Sequence, residues 1–109
     1  MKKEKLKILF VCSFNQQRSP TAEKLFKNEY DTKSAGIYSE EKPVTRELLD
    51  WADQILVMEE EHKIDIIRNF PGYDYKITVL NIPDMYNYDN PELVRLLKKK
   101  VTEALKDRI

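Results

Sequence analysis

Three short runs in this chain, Lys7-Ile8-Leu9-Phe10-Val11, Gln54-Ile55-Leu56-Val57-Met58 and Lys76-Ile77-Thr78-Val79-Leu80, are almost uninterruptedly apolar. A strand with one wet face would alternate polar and apolar residues; runs like these fit strands buried on both faces. The segments between them carry helical patterns. Ser19-Pro20 reads as an N-cap followed by a first-position proline, with Ala22, Leu25 and Phe26 forming a stripe behind it. Residues 32–35, ended by Gly36, read as a further short strand, and residues 37–43 as a polar loop. Thr45 can cap a short helix carrying Leu48, Leu49 and Trp51, with Trp51 expected in the core. Glu59-Glu60-Glu61 sets acidic side chains at the positive end of a helix dipole. That helix is expected to bury Ile64, Ile67 and Phe70, to leave His62 in solvent, and to stop at Pro71-Gly72. Pro91 opens a last helix with Leu93, Leu97, Val101 and Leu105 on one stripe. Four alternations of strand and helix imply an α/β fold: a parallel sheet covered by helices on both faces, in three layers α/β/α. Ligands of such sheets bind beyond the carboxyl ends of the strands. The segments after Val11, Met58 and Leu80 therefore share one rim.

The chain has 109 residues, which suits one domain over 1–109 and is too short for two. Nineteen basic residues balance nineteen acidic ones, so no net charge draws the chain toward nucleic acid or a membrane. Lys98-Lys99-Lys100 reads as a solvated helix face, and Lys2, Lys3 and Lys5 as a frayed terminus. With one cysteine, Cys12, and one histidine, His62, neither an internal disulfide nor a structural zinc site has its ligands. The apolar run after the basic start is too short for a signal peptide, and no stretch spans a bilayer. A reducing, cytoplasmic location and a monomer are expected.

Cys12 stands just past the first buried run, and Arg18-Ser19-Pro20 opens the next helix. A loop wound between a strand and a helix N-terminus turns backbone N–H groups inward and meets the positive end of a dipole, a setting for a dianion. The same setting favours negative sulfur. Arg18 offers a planar fork for two phosphate oxygens, and Ser19 can donate to the sulfur. Asn15 suits a left-handed backbone position in mid-loop. Taken singly, Cys12 is a small core residue, Arg18 a surface cation and Ser19-Pro20 an ordinary helix start; taken jointly they make a phosphate loop around a cysteine nucleophile.

Ile8-Leu9-Phe10-Val11-Cys12 through Arg18-Ser19-Pro20-Thr21-Ala22-Glu23, together with Ser34-Ala35-Gly36 and a late aspartate beside an aromatic residue, resembles the low-molecular-weight protein tyrosine phosphatases. The resemblance implies a four-stranded parallel sheet in the order 2-1-3-4, hydrolysis of a phosphomonoester (phosphotyrosine or a small aryl phosphate) through a cysteinyl-phosphate, and no metal or cofactor. By it Cys12 is the nucleophile and Arg18 the phosphate clamp. Ser13, Phe14, Asn15, Gln16, Gln17 and Ser19 line the phosphate site, and Asn15 stiffens the loop, bonding Ser34. Three departures stand out. Phe14 replaces the family's glycine, Gln17 replaces its second loop cysteine, and the chain is short between Gly36 and Gln54.

Departure of an alkoxide or phenolate gains from a positioned acid, and the loop after the last strand must supply it. Asp84, in Ile82-Pro83-Asp84-Met85-Tyr86, is the favoured candidate, although Met85 stands where the family has proline. Asp89 is the alternative, with a helix cap as its other reading. Tyr86 and Tyr88 are expected to wall the entrance. The expected partner is a phosphorylated protein or small phosphate ester. Two other functions fit the same loop: arsenate reduction, which would need an external thiol because Cys12 has no partner, and phosphate or phosphoprotein binding without turnover. A sulfur- or phosphate-carrying cysteine fits less well, because of the Arg18-Ser19-Pro20 ending.

Overall fold

The computed structural model describes residues 4–106; Lys2 and Lys3 lie outside them. The element order is β1 (Lys7–Cys12), α1 (Arg18–Phe26), β2 (Asp31–Gly36), α2 (Arg46–Trp51), β3 (Gln54–Val57), α3 (Glu60–Asn69), a 3-10 turn (Asp74–Lys76), β4 (Ile77–Val79) and α4 (Pro91–Leu105). The four strands are parallel and ordered β2-β1-β3-β4. No helix among the described residues is long and apolar enough to cross a membrane.

The central strand β1 shows why the sheet is buried on both sides. Ile8, Phe10 and Cys12 pack on one face with Ala22 and Phe26 of α1 and Leu93, Leu97, Val101 and Leu105 of α4. Leu9 and Val11 pack on the other with Leu49 of α2, Ile66 of α3 and Tyr73. All four expected stripe residues of α4 are buried, and truncating one to alanine would cost about 2–5 kcal/mol. Trp51 is half-buried against the second cluster, with the Lys33 ammonium 4.5 Å above its ring.

Two helix starts differ from the sequence expectation. Helix α1 begins at Arg18 with Gln17 at its N-cap position, and no side chain caps it. Ser19 cannot cap because its hydroxyl is turned back to Cys12. Helix α3 buries His62 and Ile66, while Ile64 is exposed. The inward turn of His62 sets the phase of that helix and carries Ile64 outward. Elsewhere local chemistry holds: the Thr45 side chain caps α2 by accepting from the Leu48 N–H, and the Asn90 side chain caps α4 by accepting from the Glu92 N–H.

Candidate active site

The loop after β1 is fixed first by its neighbour strand. The Ile37 N–H donates to the Cys12 carbonyl at 2.9 Å and the Tyr38 N–H to the Ser13 carbonyl at 2.7 Å, so pairing continues past the end of β2. Gly36 lies beneath the loop, and a Cβ there would stand 2.6 Å from the Asn15 nitrogen and 2.7 Å from the Phe14 carbonyl carbon. Only glycine allows that approach. Asn15 has φ of 56°, the left-handed position its type suits. Phe14 does not share it, so its departure from glycine needs no backbone strain.

The sulfur of Cys12 is held on two sides. The Asn15 N–H donates to it at 3.2 Å, and the Ser19 hydroxyl lies 2.9 Å away. Ser19 also faces the Asn15 side-chain oxygen at 2.9 Å and the Ala35 carbonyl at 3.4 Å. One hydroxyl proton cannot serve all three. With a neutral thiol, the S–H donates to Ser19 and Ser19 donates to Asn15. With a thiolate, the Ser19 proton turns to sulfur, and the Asn15 amide presents its NH2 to Ser19 instead. The trio can thus follow the sulfur through a change of charge. Ser34 does not join it; its hydroxyl donates to Glu23, so the expected Asn15–Ser34 bond is replaced by Asn15–Ser19.

Arg18 is 2% exposed. Its Nη1 donates to the Ile82 carbonyl at 2.8 Å and lies 3.2 Å from a Glu59 carboxylate oxygen. Its Nη2 reaches Ser13 Oγ at 3.4 Å and stands 3.8 Å from Asp84 Oδ2. Cys12, Ser13, Phe14, Gln16, Gln17, Arg18 and Asp84 bound a cup of about 170 Å³. Asp84 enters it from the centre of a three-residue turn closed by the Met85 N–H on the Pro83 carbonyl at 3.0 Å. That turn explains the missing proline: a proline at 85 would have no N–H to close it. Asp89 points away, ion-paired to Lys24 at 3.0 Å with φ of 60°; the cap of α4 is Asn90.

The expectation for Tyr86 is corrected. It packs against the α4 side of the core and lines a shallow hollow with Glu92 and Arg95. Tyr88 takes the wall position, in a groove of about 660 Å³ that adjoins the loop and includes Phe14, Tyr38, Glu40 and Glu41. Phe14 and Tyr38 form a ring pair with centroids 5.6 Å apart.

His62 is the residue whose place the sequence misjudges. It is 1% exposed, accepts the Glu59 N–H on Nδ1 at 3.0 Å, and meets Ser13 Oγ with Nε2 at 3.0 Å. Its pKa is lowered from 6.5 to about 4, first by burial and then by the Arg18 charge, against the opposing pull of Glu59, Asp84 and Asp65. Glu59 reads in the sequence only as a helix-opening acid, yet it is the nearer of two carboxylates paired with Arg18. The signal for both was their position just after β3, on the rim.

No family model matches the chain. Among curated proteins it is similar to a protein-arginine-phosphatase of Bacillus subtilis, 27% identical over 147 aligned residues and covering 93% of this chain and 98% of that protein. Among solved structures it is similar to a low-molecular-weight protein tyrosine phosphatase of Bacillus subtilis, 28% identical, with a TM-score of 0.74 over 94% of this chain and 99% of that one. The YwlE arginine phosphatase carrying a phosphorylated active-site serine in a cysteine-to-serine mutant is 26% identical, with a TM-score of 0.74 over 94% and 97%. The chain is similar in sequence and in fold to the low-molecular-weight protein tyrosine phosphatases. These relatives are cysteine-dependent phosphatases, and Cys12 is this chain's single cysteine. The 147-residue alignment exceeds the 109 residues of this chain, so that arginine phosphatase carries insertions that this chain lacks.

Proposed function

We propose that residues 1–109 form one phosphatase domain in which Cys12 attacks the phosphorus of a bound phosphoryl group. Arg18 and the loop amides hold the equatorial oxygens, and Asp84 protonates the leaving oxygen. The S–P bond forms as the O–P bond breaks. Asp84, now a carboxylate, takes a proton from water as that water attacks phosphorus, and sulfur leaves as thiolate under the Ser19 proton. The observation that carries this reading is the convergence of Cys12 Sγ, the buried Arg18 guanidinium and the Asp84 carboxylate on one 170 Å³ cup. The cup fits a phosphoryl group rather than a whole ligand, since drug-sized sites span roughly 300–1,000 Å³.

The aromatic groove with Phe14, Tyr38 and Tyr88 supports a flat leaving group on a phosphorylated protein or an aryl phosphate. A second reading, phosphoarginine, is favoured by the arginine-phosphatase relatives and by Glu40 and Glu41 in the same groove, which suit a guanidinium. Cys12 needs to stay a thiol, which supports a reducing compartment such as the cytoplasm, and the reading requires only a monomer. The test is hydrolysis of p-nitrophenyl phosphate in the presence of a chelator, with paired phosphotyrosine and phosphoarginine peptides to rank leaving groups. Cys12→Ser is expected to abolish turnover, and phosphate to protect Cys12 from iodoacetate. Undiminished turnover by Cys12→Ser sinks the mechanism.

A further inference from the structure

Resting on that assignment of the cup, we propose that His62 is a positioning residue that fixes the Ser13 hydroxyl as a hydrogen-bond donor to the bound phosphoryl group. The proton inventory leads there. The Glu59 amide can only donate, so His62 Nδ1 keeps its lone pair, and the ring proton of the neutral imidazole sits on Nε2. Nε2 donates that proton to Ser13 Oγ, 3.0 Å away. Arg18 Nη2, which also can only donate, takes the other lone pair of Ser13 at 3.4 Å. Both acceptor sites of the hydroxyl are then filled, and its own proton has no acceptor among the described residues. Ser13 lines the cup, so a phosphoryl oxygen there is the acceptor this proton lacks. His62 and Ser13 are both buried and 49 residues apart in sequence, so this bond ties the start of α3 to the loop beside the Glu59–Arg18 pair.

The low pKa of His62 agrees with a ring held neutral by two fixed bonds. It also explains why the orientation persists across ordinary pH.

The alternative is a purely structural histidine that caps α3. Two substitutions separate the roles. In His62→Asn the side-chain oxygen still accepts the Glu59 N–H, but nothing reaches Ser13. In His62→Gln the amide reaches Ser13 and donates, while the cap is lost. Inorganic phosphate affinity and kcat/KM for p-nitrophenyl phosphate are measured for each, with melting as a fold control. Ser13→Ala is expected to lose about tenfold in both, the scale of one hydrogen bond to a charged group; Ser13→Thr retains them. His62→Asn is expected to fall several-fold and His62→Gln to keep most of the affinity. In the Ser13→Ala background, His62→Asn is expected to add nothing, because both changes remove the same interaction.

Full retention in Ser13→Ala, or an undiminished His62→Asn effect in the Ser13→Ala background, overturns the proposal while leaving the phosphatase reading intact. So does the reverse ranking, with Asn retained and Gln lost. A wild-type protein that binds no phosphate overturns both. If His62→Asn does not fold, the Ser13→Ala, Ser13→Thr and His62→Gln comparison decides.

Discussion

The cup has a floor and a wall, and they are built differently. The floor, residues 12–19, is tied at several points along its length: two strand-like bonds to the end of β2, the Cys12–Ser19–Asn15 trio, and Arg18 shared among Ile82, Ser13 and Glu59. The wall, residues 81–90, is tied mainly near its ends. Ile82 pairs with Met58 and accepts from Arg18, while the Asp89 N–H donates to Thr21 and its carboxylate pairs with Lys24. Between those ties Asp84, Met85 and Tyr88 are exposed, Asp84 by 55%. A preorganised floor suits charge that is held throughout the reaction. An acid that must meet leaving groups of different shape can tolerate a looser mount. Damage to the floor is therefore expected to harm both folding and turnover, and damage to the wall to harm turnover alone.

The largest effects are expected in the floor. Gly36→Ala forces a Cβ to within 2.6 Å of the Asn15 nitrogen, so the loop must move. Overpacking of this kind costs about 1–3 kcal/mol. A misplaced anion site is expected to lower kcat/KM by roughly 10²-fold or more. Arg18→Lys keeps the charge and loses the fork, leaving Glu59 and the Ile82 carbonyl poorly satisfied. Weaker phosphate binding and a lower melting temperature should appear together, in calorimetry and thermal melts. A floor variant that loses turnover with unchanged melting would break the contrast.

Next is the wall. Asp84→Asn is expected to slow alkyl phosphate hydrolysis by about 10²-fold, the scale of general acid catalysis, and p-nitrophenyl phosphate far less. Its melting temperature should hold, because Asp84 is 55% exposed and stands 3.8 Å from Arg18, which is held by Glu59 and the Ile82 carbonyl without it. Equal slowing of both substrates would move the acid elsewhere.

The same division governs what could be read from the sequence. The floor was legible because its chemistry is local: Cys12, Asn15, Arg18 and Ser19 lie within eight consecutive positions, between a strand and a helix whose patterns are strong. The parallel fold was legible because β1, β3 and β4 are continuous apolar runs. His62 was not, since a lone histidine after three glutamates has the pattern of a wet helix start; it is buried only because Ser13, far away in sequence, receives it. Of the two tyrosines expected at the wall, only Tyr88 lines the groove, for a similar reason. Both fit a wall by type, and the packing of α4 draws Tyr86 into the core edge.

His62 also ties the floor to pH. Its pKa is about 4 in the folded protein against 6.5 as the reference. Between those values the unfolded chain holds a proton that the folded chain does not, so stability rises with pH across the window. The contribution is complete above pH 6.5 and is lost as pH falls toward 4. At about 1.4 kcal/mol per pKa unit it amounts to at most about 3 kcal/mol. Denaturation of the wild type and His62→Gln at both ends of the window isolates this share from the carboxylates. Parallel pH profiles would show that His62 is not the titrating group.

The smallest effect is expected where floor meets wall, at Phe14. Its ring is 54% exposed, pairs with Tyr38 at 5.6 Å and bounds both the cup and the larger groove. Its backbone is unstrained, so Phe14→Ala leaves the loop path intact and removes only a rim contact, worth roughly 0.5–1.5 kcal/mol for such a ring pair. Phosphate, which fills the cup alone, should bind as before. An aryl phosphate or phosphopeptide, which also meets the groove, should show KM raised a few-fold with kcat nearly unchanged. A loss confined to kcat would instead mean that the residue replacing the family's glycine holds the loop in its reactive shape.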